Sequence, residues 1–452
     1  MKLHRGLAVP GLVLVLALTA GCAGTSPAVP GTATRGGSAQ SSSAGPTTAL
    51  PAGQTKALGA SLARGAAGLP ATAGAALDAF GAGLLRQQAA ENAVLSPYSI
   101  YAVLAMARAG AKGQTAAQLD AVLGGAAAAQ AGNVTAVDQA VAAALVQGKA
   151  PTGDPTTTDT RPEAVDVANS VWLSPALPVH QDYLDSLSRD FGVGLYQVDY
   201  AADPEAARKA INRWVSQRTH ALIPQLLATG TVDTTTVITL VNAMYLTAPW
   251  QTPFTVESSP LPFTTVGGTK VSASGMSVSG DLDAAQGSGW TSVTVPYRGG
   301  GLAMTILLPD VGQFAAVRGA LATVLPAATS GSSRLVQLTM PKFKSSTSLS
   351  LAPAMEKLGV KDIFDPTAAD ISGISGPPHR IYATNLVHQA VITVDEKGTE
   401  AAAATAMTMS AGAAQPTEPP LDVTVDRPFF YVVHDTTTGA PLFLGQVTDP
   451  TK

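Results

Sequence analysis

Asp395-Glu396-Lys397-Gly398-Thr399-Glu400-Ala401-Ala402-Ala403-Ala404-Thr405 is the stretch on which the fold turns. Charged residues from Asp395 to Glu400 give way to Ala401–Ala404, the smallest side chains that keep a Cβ. Gly398 gives the backbone freedom to turn. Alanine is also common before residue 68 and after Leu123, but the charged lead-in is no product of composition. The first proline after the run is Pro416, and no Lys or Arg occurs between Lys397 and Arg427. Upstream, Leu386–Val394 is an apolar, strand-like run interrupted by His388.

A second strand is equally clear. Val237 to Leu246 is almost continuously apolar, as expected for a strand buried on both faces. Asn242 breaks it, on the same face as Ile238, Leu240, Met244 and Leu246. A buried amide or imidazole left unpaired costs roughly 1–3 kcal/mol, so Asn242 and His388 each need a partner. Ser96 and Ser99 are candidates for one shared network. A lone core histidine is more often a satisfied structural residue than a catalyst, and His388 is read that way.

Ser96-Pro97 is a helix start, a hydroxyl cap followed by proline at the first helical position. Ile100, Val103, Leu104 and Ala107 follow at helical spacing and Gly110 ends the run. Ala207, Ile211, Trp214 and Val215 repeat that spacing, as do Leu351, Met355 and Leu358 before Gly359. Val336, Leu338 and Met340 alternate with polar residues. Gly299-Gly300-Gly301 joins Val293–Tyr297 to Leu302–Leu308 as a hairpin, and Val423–His434 with Leu442–Val447 reads as another. Helices and strands mix without strict alternation, so the class is α+β with sizeable sheets.

The 452 residues are 46% hydrophobic and 13% charged, which excludes disorder for most of the length. Lys plus Arg number 27 against 31 Asp plus Glu, with no basic run, so no nucleic-acid partner is expected. A single cysteine, Cys22, excludes intramolecular disulfides, a Cys-based zinc site and an iron–sulfur cluster. Lys2, His4 and Arg5 precede an apolar stretch, Leu7–Ala20, too short to span a membrane but right for a signal-peptide core. Thr19-Ala20-Gly21-Cys22 resembles a bacterial lipobox, in which the cysteine is diacylated and becomes the mature N-terminus. Thr19 stands where leucine is usual, so an ordinary signal peptide is the alternative. Residues 1–21 are thus expected to be a signal peptide with lipobox, and 22–68 an Ala/Gly/Ser/Thr/Pro-rich flexible tether. Residues 69–452 form the globular domain, with Ala150–Pro162 as a surface loop. The expected location is the outer face of the cell membrane, lipid-anchored, or secreted.

Catalytic signatures are missing: there is no G-x-S-x-G elbow, no H-E-x-x-H pair and no P-loop. Gly110–Thr115 is Gly-rich but has the wrong spacing for a phosphate cradle. No catalytic residue, metal or cofactor is expected.

With its surroundings, the Asp395–Thr405 stretch resembles the hinge of a serpin. Asn92–Ile100, Gly110–Leu119, Ala168–Trp172 and Val241–Leu246 resemble family segments in the family's order. Trp250, Pro253-Phe254, Met340–Phe343, Ala369–Ile374 and Val387–Ala390 continue it, and Asp426–Phe430 and Leu442–Val447 close it. The resemblance implies the serpin fold: a helical subdomain, large mixed sheets and an exposed reactive-centre loop. It implies an irreversible suicide-substrate inhibitor of a serine protease, whose cleaved loop inserts into the central sheet and traps the acyl-enzyme. Ser96, Ser99, Asn242 and His388 fall on the family's shutter, and Trp250, Lys342 and Glu396 at its breach. Glu396, Gly398, Thr399, Glu400, Ala401, Ala402, Ala403, Ala404 and Thr405 form the hinge.

Small residues suit that hinge, because an inserting strand must pass between packed neighbours, and proline would remove a ladder donor. Alanine's preference for helix conflicts with the strand that insertion demands, and such conflicts tend to mark switches. Inhibitory serpins are usually cut about seventeen residues from the hinge glutamate. Glu396 as the first makes Gly412 the last, so the expected bond is Gly412-Ala413, with Met409-Ser410 as the alternative. The small residues around Gly412 suit an elastase-like or subtilisin-like target. A monomer is expected, with no glycosaminoglycan cofactor, since Gly124–Ala150 holds one Lys and no Arg. The alternative function is a non-inhibitory serpin for binding or storage.

Overall fold

The computed structural model describes residues 73–147, 164–219, 221, 223–376, 381–384, 386–399 and 419–452, with two short stretches, Val13–Leu14 and Lys56–Ala57. Helix α1 (Ala73–Arg86) and a short strand, Ala93–Leu95, lead into helix α2 (Pro97–Gly110). The Ser96 hydroxyl caps α2 by accepting from the Ser99 amide at 3.2 Å, and Pro97 fills a position that needs no donor. α2 is buried at nearly every position because it runs between two sheets, touching Ile238–Pro249 on one side and Pro441–Val447 on the other. It stops at Gly110, where a Cβ would meet Ile374 Cγ1 at 2.2 Å. The other expected helices are Pro204–Arg218 and Ala352–Leu358, the second closed by Gly359 at φ 106°.

The large sheet is built from β1 (Ala164–Leu173), β2 (Gly194–Gln197), β3 (Ile238–Pro249), β4 (Phe343–Ser350), β5 (Val387–Asp395) and β6 (Gly398–Thr399). Across the sheet they run β4, β5, β6, β3, β1, β2. β1 and β3 are antiparallel from Ala164 opposite Thr247 to Leu173 opposite Ile238. β4 and β5 are antiparallel from Phe343 opposite Val394 to Ser350 opposite Val387. Lys56–Ala57, inside the stretch expected as tether, pairs with Gln197 and Tyr196 along the outer edge of β2. Val13–Leu14, from the expected signal segment, pairs with Gln389 and His388 of β5.

The second sheet has at its centre the hairpin Trp290–Pro296 with Leu302–Pro309, as expected across Gly299–Gly301. The other expected hairpin is shorter than read. The run from Val423 to His434 is two strands: Leu421–Thr424 lies parallel to Ser332–Pro341, and Phe429–Asp435 pairs with Pro441–Val447. Between them Pro428 cannot donate to a ladder, which divides the run. Both strands of this hairpin are buried throughout, so their continuous apolar pattern reflects cover on both faces. The expected loop Ala150–Pro162 lies outside the described residues.

Candidate functional site

β5 and β3 flank β6 in the large sheet, and among the described residues they share no ladder with each other. At one end β6 is wedged between them. Thr399 pairs with Val394 and Ala248, and Gly398 with Asp395 and Pro249. Beyond Thr399 the strands part into a slot, which in the full chain holds Val13–Leu14 at the level of His388 and in contact with β3.

The β6 end is tightly built. The Trp250 indole N–H donates to the Asp395 carbonyl at 2.9 Å, and the Trp250 and Phe254 amides donate to the carbonyls of Lys397 and Glu396 at 2.9 and 2.7 Å. Lys342 Nζ meets Glu396 Oε2 at 2.5 Å. Burial raises the Glu396 carboxyl, but the Lys342 ammonium and neighbouring bonds outweigh it and hold the group below its ordinary value. Trp250, Lys342 and Glu396 therefore meet at the point where the chain turns into the sheet. Gly398 has φ 154°, and a Cβ there would lie 2.3 Å from the Ala248 carbonyl oxygen, so only glycine makes this turn. Thr399 is 4% exposed and shares a 2.6 Å hydrogen bond with the Tyr297 phenol, whose ring stacks on Trp250 at 4.5 Å. Tyr297 escaped the sequence analysis, since a tyrosine at a hairpin end carries no sign of a partner a hundred residues on.

Midway along the slot, Ser96, Ser99, Asn242 and His388 are all fully buried. The Ser96 amide donates to His388 Nε2 at 3.4 Å. Since Nε2 accepts, the neutral ring carries its proton on Nδ1, and burial holds its pKa down to about 3. The expected shared network is found only in part. Asn242 donates instead to Asn169 of β1 at 2.6 Å, because the slot separates β3 from β5. His388 Nδ1, Asn242 Oδ1, Ser99 Oγ and Ser170 Oγ are buried with no partner among the described residues. Asn169 and Ser170 were missed, although a polar break in an apolar strand is the same signal that marks Asn242.

At the far end, where β3 and β5 begin, the slot opens into an apolar cavity of about 340 Å³. Leu104 and Ile374 are among the residues that form its floor. The remaining hinge residues Glu400–Thr405, the bonds Gly412-Ala413 and Met409-Ser410, and Cys22 lie outside the described residues.

A strand end turned into the gap between two long strands that share no ladder narrows the candidates sharply, and the sequence model of the family described as Serpin (serine protease inhibitor) matches residues 75–450. The chain belongs to the serpin family. This serpin is 32% identical over 367 residues to Iris of Ixodes ricinus, covering 80% of this chain and 93% of that one. It is 30% identical over 381 residues to the leukocyte elastase inhibitor of Bos taurus, covering 81% and 95%. Its fold is similar to that of the thermophilic serpin tengpin in the native state, with TM-score 0.69 at 22% identity over 86% of this chain and 96% of that one. As a serpin, the protein is an inhibitor of serine proteases.

Proposed function

We propose that this serpin traps a serine protease of elastase-like or subtilisin-like specificity. The protease forms its acyl-enzyme on the loop after Thr399, and the cleaved loop then continues β6 down the slot between β5 and β3, carrying the enzyme with it. The observation that carries this is β6 itself, already paired on both sides. Continued in the same register, Thr405 falls opposite His388 on one strand and Asn242 on the other. It shares the inward parity of Thr399. A hydroxyl there can accept from His388 Nδ1–H and donate to Asn242 Oδ1, the two groups left unpaired in the open slot. Satisfying each is worth about 1–3 kcal/mol. Ala401–Ala404 offer nothing beyond Cβ to obstruct the passage.

The same register brings Gly412 opposite Thr235, just past the first residue of β3, so cleavage at Gly412-Ala413 leaves enough chain to fill the slot. Cleavage at Met409-Ser410 ends the segment opposite Ile238. The proposal also has Cys22 diacylated and the serpin held as a monomer on the outer face of a bacterial membrane. Removal of residues 1–21 takes Val13–Leu14 out of the slot.

The test is incubation of the mature protein with an elastase and with subtilisin. The expected result is an SDS-stable complex and a released C-terminal fragment that starts at Ala413. A fragment starting at Ser410 would move the bond, and loop cleavage without a complex would make this a non-inhibitory serpin.

A further inference from the structure

The cavity of about 340 Å³ is large for an apolar space, since about 150 Å³ already admits a benzene-sized guest. Its lining comes from separate parts of the fold: Leu104 and Ala107 of α2, Ile238 and Leu240 of β3, and Ala383 and Leu386 on the approach to β5. None of the described residues that line it carries a charge. Its hydroxyls are largely engaged already. Those of Thr235 and Thr236 bond Asp233, that of Thr231 donates to the Ala228 carbonyl, and that of Thr239 bonds Tyr200. The backbone is engaged as well: the Ala383 amide donates to the Ile363 carbonyl at 2.8 Å, and the Leu386 carbonyl accepts from the Leu351 amide at 2.7 Å. Val237, Ile238 and Ala383 are nevertheless only half-buried, so apolar surface here still faces the empty space. Two aromatic rings, Phe364 and Tyr382, also line it. Tyr382 is 40% exposed, the one aromatic among the exposed large apolar side chains of the described residues, and so marks the mouth.

We infer that this cavity is a binding site for a small uncharged aromatic molecule, of about two to three rings by comparison with the benzene-sized case. A charged guest would give up its hydration and find no opposite charge in the lining. A guest rich in polar groups would lose hydrogen bonds to water that the engaged hydroxyls and amides do not replace. An apolar ring system loses nothing of the kind and covers Val237, Ile238 and Ala383. Phe364 and Tyr382 supply ring faces and edges for it to pack against, which favours a flat aromatic guest over a branched aliphatic one. With Leu240 on one side and Leu386 on the other, the guest bridges β3 and the approach to β5 over the floor that Leu104 provides.

The test compares two fluorescent probes on the mature protein. N-phenyl-1-naphthylamine is neutral, and 1-anilinonaphthalene-8-sulfonate has the same rings with an added negative charge. The neutral probe should brighten, saturate at one molecule per chain and raise the melting temperature. The sulfonate should bind about tenfold or more weakly, because its charge has no partner in the lining. Ala107→Phe fills the cavity from α2, and Ala383→Phe fills it from the approach to β5. Each should weaken binding of the neutral probe about tenfold or more, and the two stand on different elements, so either one that keeps the parent's melting transition is sufficient. Folded variants of both kinds that bound the neutral probe like the parent would place it elsewhere and overturn the inference. Equal binding of the two probes, or binding of the neutral one that never saturates, would also overturn it.

Discussion

Thr399→Arg acts on the first loop residue that the sheet already holds. The threonine is 4% exposed, and its hydroxyl lies 2.6 Å from the Tyr297 phenol, with the Trp250 ring stacked behind. The substitution leaves the phenol unpaired, at about 1–3 kcal/mol. It also asks the same space to take a guanidinium without a dedicated carboxylate, at several kcal/mol more. The total, upward of about 4 kcal/mol, corresponds to about three decades in the equilibrium between a seated and an expelled hinge. Insertion must then begin without its first rung while deacylation proceeds at its own pace. Titration of a fixed amount of elastase, read by residual activity and by gel, should show the variant consumed as a substrate with little complex. The rate of loop cleavage should stay that of the parent. Thr399→Ser, which keeps the hydroxyl and the small size, should still trap. An arginine variant that trapped protease with the parent's stoichiometry would refute insertion through this end of the slot.

Three further outcomes are expected. Burial raises the Asp78 carboxyl in α1 from 3.8 to about 7, so the folded state holds a proton that the unfolded chain has lost, and stability falls as pH rises through that range. Asp78→Asn should therefore raise the unfolding free energy at pH 8 by about 2–4 kcal/mol, read as a higher melting temperature, and change little below pH 4. His388 runs the other way. Burial lowers its pKa from 6.5 to about 3, the unfolded chain takes up the proton first, and stability is lost as pH falls from 6.5 toward 3. His388→Gln should flatten that part of the melting-temperature profile, leaving the contribution of His434, which burial also lowers, to about 4. Cys22→Ser should shift the protein from the membrane fraction to the medium or block its processing, since two acyl chains give stable attachment where one is marginal.

Local chemistry was the legible part. The Ser96-Pro97 start of α2, the stop at Gly359 and the polar breaks at Asn242 and His388 each depend on residues a few positions apart, or on a pattern within one strand. Partners across the sheet were not legible. Asn169 and Asn242 sit on strands far apart in sequence, and nothing near either residue names the other. Tyr297 meets Thr399 only because a hairpin from the second sheet reaches the top of the slot. The cavity needs α2, β3 and the approach to β5 together, so no single segment carries its outline. The division at Pro428 lay within reach, because the proline's missing donor was already in the sequence.

Lys56–Ala57 meets the sheet at Gln197, the end at which β3 begins, whereas β6 enters at the end where β3 finishes. Lys56–Ala57 and the start of the hinge thus sit at opposite ends of the large sheet. Lys56 stands 34 positions after Cys22. Read as the proposed tether, a flexible leash of that length averages roughly 30–35 Å and can stretch to about 120 Å. Under the proposed anchor, the bait faces outward to an arriving protease, and the cut end of the loop travels toward the lipid. The captive enzyme comes to rest beneath its captor, against the cell surface. The leash then sets the headroom for capture, and trimming residues 24–55 should hinder trapping on membranes while sparing it for the released protein in solution.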